Sequence, residues 1–154
     1  MAIVDNYIKS TTGYHCRMSN LIIGQQLWTL DWGSWIANQK REIIQTKVVG
    51  HTLTQSNFAV KLGLETEYSN HSFLFLPSDL LFIKEESWVS VANIEVGDNI
   101  EFITKEMESD FCQVTSVEFI TEPSSGYKLV CFPEDSFLVT PLGLWCRSIK
   151  PKKS

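Results

Sequence analysis

The sequence predicts an all-β domain on three observations. Apolar residues recur with period two, turn-forming residues punctuate the chain at short intervals, and one stretch of pattern occurs twice. The clearest alternation is Phe58-Ala59-Val60-Lys61-Leu62, in which Phe58, Val60 and Leu62 share one face of a strand. Further strands are expected over 3–9, 26–30, 43–49, 72–76, 88–91, 99–104, 112–121, 128–132 and 137–140. Asp31-Trp32-Gly33, Pro77-Ser78-Asp79, Gly97-Asp98-Asn99 and the Pro123 to Gly126 stretch supply the fixed φ, positive φ or local side-chain bonding that reversals need. Ser78 could cap a helix, but residues 78–86 are read as extended. So many short strands imply a sandwich, a barrel or a similarly coiled sheet.

The repeat is the most informative of the three. Ser19 to Leu30, SNLIIGQQLWTL, aligns with Ala92 to Ile103, ANIEVGDNIEFI, at a constant offset of 73. Asn20, Leu21, Ile23, Gly24, Leu27 and Leu30 match Asn93, Ile94, Val96, Gly97, Ile100 and Ile103. Such a skeleton is a turn entering a strand: Gly24 and Gly97 allow positive φ, Gln25 and Asp98 satisfy turn amides, and the apolar positions return to the core. A looser echo pairs Ser72-Phe73-Leu74 with Ser136-Phe137-Leu138. The expected organisation is one domain over 1–148, made of pseudo-repeats at about 1–75 and 76–148, followed by a basic tail over 149–154.

Composition narrows the functions. At 154 residues with 44% hydrophobic and 20% charged side chains, one core can form without staples, and no apolar run reaches the length of a membrane span. No signal-peptide pattern opens the chain, so a cytoplasmic location is expected, or a particle if the protein is phage-encoded. Cys16, Cys112, Cys131 and Cys146 are widely spaced, which reads as buried thiols rather than a zinc site or disulfide framework. His15, Cys16, His51 and His71 match no ligand spacing, and the acids of 106–110 lack the glycine of a calcium loop; no metal or cofactor is expected. The net charge of −5 is uneven, since the last eight residues carry +4 and leave −9 on the rest. An acidic body excludes a broad nucleic-acid face, while Lys150, Lys152 and Lys153 could make a weak contact with an acidic surface or nucleic acid. Trp28, Trp32 and Trp35 cluster near one tip and, with those lysines, form the candidate interface.

Read in order, these pieces resemble the Hint family, the module shared by inteins and Hedgehog autoprocessing domains, over about 4–148. The family's opening strand and "L-x-x-G-D-x-V" segment resemble DNYIKSTTGYHCRMSNLIIGQQL (5–27). Its "T-x-x-H" element and second Gly-Asp turn resemble EYSNHSFLF followed by SWVSVANIEVGDNI. Its last strands resemble Tyr127-Lys128-Leu129, Phe137-Leu138-Val139 and Gly143-Leu144-Trp145-Cys146-Arg147-Ser148. The resemblance implies a pseudo-twofold coiled β domain.

The resemblance also implies which residues chemistry would need. Self-processing begins with a thiol or hydroxyl attacking the preceding carbonyl, yet residues 1–4 are Met, Ala, Ile and Val. If Met1 is the initiator, no upstream bond exists to cleave. The family's middle histidine is matched to His71, whose companion threonine is replaced by Tyr68. The closing His-Asn is replaced by Arg147-Ser148: arginine is a poor proton shuttle and serine cannot form a succinimide. The expected function is therefore a catalytically inactive structural or interaction module whose partners are other proteins of a larger assembly, such as a phage particle. Two alternatives stand beside it: a Hint domain with residual peptide-bond cleavage, and a hydrolase using Cys16 with His71 as base.

Overall fold

The computed structural model describes residues 1–31, 41–84, 87–104 and 106–149. Its strands are β1 (Ala2–Ile3), β2 (Tyr7–Lys9), β3 (His15–Arg17), β4 (Gln26–Leu30), β5 (Ile43–Ser56), β6 (Ala59–Glu65) and β7 (Asn70–Phe75). The second half follows with β8 (Leu80–Ile83), β9 (Ser87–Ser90), β10 (Asn99–Ile103), β11 (Ser109–Ile120), β12 (Ser124–Phe132), β13 (Phe137–Thr140) and β14 (Leu144–Arg147). Among the described residues the only helical elements are two 3-10 turns, Met18–Asn20 and Val91–Asn93.

The two turns mark the repeat. Gly24 and Gly97 adopt φ of 93° and 98°, conformations that favour glycine because they carry no Cβ penalty there. Their surroundings are duplicated bond for bond. Gly24 N–H donates to Val48 O as Gly97 N–H does to Val114 O, and Val48 N–H donates to Gln25 O as Val114 N–H does to Asp98 O. Side chains echo the backbone, with Gln25 Oε1 accepting from Ile22 N–H and Asp98 Oδ2 from Glu95 N–H. Leu21, Leu27 and Leu30 are buried, as are Ile94, Ile100 and Ile103. Ile23 and Val96 are exposed instead of returning to the core, because each sits at the tip of its turn.

The halves are joined by exchange. In the four-stranded sheet, ordered β1-β12-β5-β4, the long β5 of the first half pairs with β12 of the second. In the larger sheet, ordered β3-β2-β13-β14-β8-β10-β11-β6-β7 with β9 on β8, β11 of the second half pairs with β6 of the first. Each half thus contributes strands to the other's sheet, as a pseudo-twofold requires. The main core lies between these sheets and includes Ile8, Leu27, Val48, Leu62, Phe75, Ile100, Val114, Leu129 and Phe137. A second cluster gathers Leu30, Phe82, Ile103, Leu138 and Trp145, with Trp28, Ile43 and Trp88 against it.

Two expectations change in detail, and a third holds over residues 80–83. The strand expected over 3–9 is broken between β1 and β2, because the Asp5 carboxylate accepts from Ser19 N–H and Oγ while Asn6 Nδ2 donates to Leu74 O. The stretch from Pro123 to Gly126 is not a turn; Ser124 begins β12, and Gly126 is needed because a Cβ there would lie 2.9 Å from Leu76 Cδ1. Residues 80–83 are a strand, as the extended reading of that region requires.

Candidate functional site

The residues that matched the family's closing pair lie at the end of β14, where two unlike environments meet. Antiparallel pairing sets Cys146 against Leu81 and Arg147 against Leu80, and side chains alternate across the sheet. Arg147 points to one face. There its Nη2 lies 3.6 Å from Asp135 Oδ2, and its guanidinium stands 5.4 Å from the Trp88 ring centroid. The position is held from below by hydrogen bonds in the aromatic cluster: Trp145 Nε1 donates to Ser136 Oγ at 2.8 Å, and Ser136 Oγ lies 2.6 Å from Thr29 Oγ1.

The same cluster contains a buried charge pair. Arg41 Nε donates to both Glu101 oxygens at 3.0 and 2.8 Å, its guanidinium lies 4.6 Å from the centroids of both Phe82 and Trp145, and Ser109 Oγ donates to Glu101. A cation between aromatic faces and a carboxylate is doubly compensated for its lost hydration. Burial pushes Glu134 up from its ordinary value, with Arg147 opposing and Asp31 and Asp135 adding to the rise.

The opposite face carries Cys146, and the β8–β14 ladder ends at the Arg147–Leu80 pair, beyond which lie Ser148 and Asp79. Asp79 closes a tight turn in which its N–H donates to Leu76 O and its Oδ2 accepts from Leu76 N–H at 3.0 Å. Burial pushes its carboxyl up to about 7, against the lowering effects of the Leu76 hydrogen bond and of Lys128. Burial likewise holds the Cys146 thiol well above its ordinary value, with Asp79 adding to the effect. Ser148 Oγ is buried and has no hydrogen-bond partner among the described residues.

His71 and the Arg147–Ser148 pair lie on different parts of the structure. His71 stands on β7, opposite Leu64; its Nε2 lies 2.7 Å from Ser69 Oγ and its ring stacks near Phe73. β7 ends the large sheet while β14 lies well inside it, and no described contact joins His71 to Arg147 or Ser148. Leu76-Pro77-Ser78-Asp79 leads into β8, which pairs with both β14 and β9. Asp79 is an ionisable side chain close to Cys146. A signal was present in the sequence: Pro77-Ser78-Asp79 runs directly into the apolar stretch before Trp88.

The other candidates fall as follows. Gly24, Gly97 and Asp98 build the paired turns. Trp28 is half-buried against the second cluster, whereas Trp32, Trp35, Lys150, Lys152 and Lys153 lie outside the described residues. Cys16 sits on β3 opposite Ile8, with Gln25 Nε2 3.2 Å from its sulfur. No described contact brings His71 to it. His51 lies 2.7 Å from Met18 O and stacks on Tyr127, a structural setting. Neither these positions nor the acids of the 106–110 tip form a group of three metal-ligating side chains among the described residues. No helix among them is long and apolar enough to cross a membrane.

Solved structures place this architecture. A bacterial intein-like domain from Clostridium thermocellum superposes with a TM-score of 0.75 at 13% identity, over 95% of this chain and 97% of that one. The TvoVMA intein does so with a TM-score of 0.75 at 17% identity, over 94% and 95%.

The chain has the intein fold.

A DnaB intein from Synechocystis matches it as well, with a TM-score of 0.71 at 13% identity over 94% of this chain and 96% of that one. No family model and no curated protein matches the sequence. At these identities the likeness is one of fold, and the pseudo-twofold coiled β domain expected above is the intein-fold, or Hint, arrangement.

Proposed function

We propose that the chain is an intein-fold module that does not process itself and serves as a structural or binding part of a larger protein assembly. The observation that carries this reading is the state of the β14 end. Arg147 is held by Asp135 and Trp88 as a permanent cation, which cannot relay a proton near neutral pH. Ser148 follows it, and serine has no side-chain amide to close on its own carbonyl. Leu80, which pairs with Arg147, follows Asp79, a buried carboxyl, and no described contact brings an imidazole to Arg147 or Ser148. Residues 1–4 carry no thiol or hydroxyl that could open an acyl shift from the start of β1.

Burial supports the same reading for the thiols. Cys112 and Cys131 are pushed up to about 12 by burial, so neither is a nucleophilic thiolate at neutral pH. For the binding role, the long β5–β12 ladder leaves Val49, Leu53 and Phe132 exposed, apolar side chains that a partner could cover. Joining a short peptide ahead of Met1 and a second after Ser154 tests the proposal: the precursor keeps its full mass in the presence of thiol, whereas release of either peptide would refute it.

A further inference from the structure

The large sheet ends on β7, and the β6–β7 hairpin fixes which backbone groups of that strand are left over. Thr66 N–H donates to Ser69 O across the turn, so Thr66 and Ser69 form a hydrogen-bonded pair, and Leu64–His71 and Leu62–Phe73 follow in the same phase. Between them, Asn70, Ser72 and Leu74 aim their N–H and C=O groups away from β6. The bond from Asn6 Nδ2 to Leu74 O, 3.0 Å, has the same phase, since it reaches β7 from the outer side. Asn70 and Ser72 are exposed, and their N–H and C=O groups have no hydrogen-bond partner among the described residues.

Sheet edges are ordinarily blunted by brevity, Pro, charged side chains or a bulge. Other terminal strands of this fold follow that rule. β1 has 2 residues and β3 has 3, one of them Arg17, while the outer side of β4 is met by Ser10, which bridges to Leu27, and by Thr11 N–H, which donates to Gln26 O. β7 does not follow it: Asn70-His71-Ser72-Phe73-Leu74-Phe75 has no proline, lysine or acid and no bulge against β6, and Asn6 blocks it only at Leu74.

Charge along this edge selects the occupant. Lys61 stands on the rung of Leu74, Glu65 on that of Asn70, and Glu67 lies in the turn beyond, all three exposed. A second copy laid antiparallel sets each acidic end beside the other's Lys61, whereas a parallel one sets like charges side by side. We propose that β7 is a self-association edge, at which two copies of the chain pair β7 to β7, antiparallel, about a twofold axis through His71. In that register Asn70 and Ser72 of one copy exchange N–H and C=O bonds with Ser72 and Asn70 of the other, which uses every free group of both residues and leaves Asn6 on Leu74. A register centred on Ser72 would instead need the Leu74 carbonyl that Asn6 already holds. The twofold makes His71 its own neighbour, with Cβ atoms about 5 Å apart. The inference is independent of whether the domain processes itself.

Sedimentation of the full chain at low salt tests it. The pairing supplies fewer backbone bonds than the roughly ten of a standard interface, so association is concentration-dependent. Between about 10 μM and 1 mM the mass rises from one chain to two and no further. His71→Lys and His71→Glu each weaken association by about tenfold or more, because like charges then meet across the axis, and an equimolar mixture of the two restores it. A wild type that stays monomeric throughout that range or grows beyond two copies, single variants that associate as the wild type does, or a mixture that recovers nothing would each overturn the proposal. Should a charged variant fail to fold, cysteines decide in a Cys16→Ser background. His71→Cys cross-links two copies under diamide, because a directly facing pair lies within disulfide reach, and Ser72→Cys does not. Cross-linking through Ser72→Cys, or none through His71→Cys, overturns the pairing.

Discussion

Replacing Glu101 by Gln leaves the shape of the second cluster almost unchanged and removes one charge from its centre. In the native chain the Arg41 side chain is 4% exposed and that of Glu101 2%, so neither charge is appreciably hydrated. The pair is held by two N–H to carboxylate contacts, the Ser109 hydroxyl and two aromatic faces. Removing one partner from such a pair costs about 3–5 kcal/mol, because the remaining charge stays buried with less compensation. That is a large share of the 5–15 kcal/mol typical of a domain. Urea unfolding followed by tryptophan fluorescence measures it, and the midpoint falls while the slope stays constant. Replacing both residues with apolar ones, Arg41→Met with Glu101→Leu, recovers most of the loss, since hydrophobic packing commonly matches a buried pair. A loss below about 1 kcal/mol in Glu101→Gln would refute the assignment of the pair as buried and tightly compensated.

Other consequences follow from the same packing. Gly24→Ala and Gly97→Ala each lose about 1 kcal/mol, and by similar amounts, because both have positive φ and neither Cβ would meet an atom within 4 Å; unequal thermal shifts would argue against equivalent turns. Asp79, raised to about 7 from 3.8, contributes stability that is fully present below the lower value and lost as pH rises to the upper, about 4 kcal/mol in all. Comparing unfolding free energies of wild type and Asp79→Asn at pH 4.5 and 8 isolates that slope. Towards a disulfide reagent at pH 8 the native chain shows one fast thiol, Cys16, while Cys112, Cys131 and Cys146 react only on unfolding.

The architecture was legible because its signals are local. Period-two runs and the two Gly-centred turns depend on residues within a few positions, and each recurs 73 residues later with the same bonds. Exchange of β5 and β11 between the halves was not legible, as strand partners are set by packing across the whole chain. The site was read only in part. Arg147 and Ser148 stand at and just past the end of β14, whereas His71 lies on β7 at the edge of the same sheet, a separation set by strand order and not by sequence. Asp79 was read only as a turn residue, because Pro77-Ser78-Asp79 has the composition of an ordinary turn and its burial depends on packing across the chain. The Arg41–Glu101 pair was invisible for a similar reason: Glu101 lies between Ile100 and Phe102, where alternation alone points it to solvent.

The central claim is that an intein fold is retained here without its chemistry. The most direct measurement is the intact mass of the chain flanked by peptides at both ends, followed over a day with and without added thiol. The account predicts one species at the precursor mass throughout. A product short of the leading peptide, or the two peptides joined and the domain released, would contradict it.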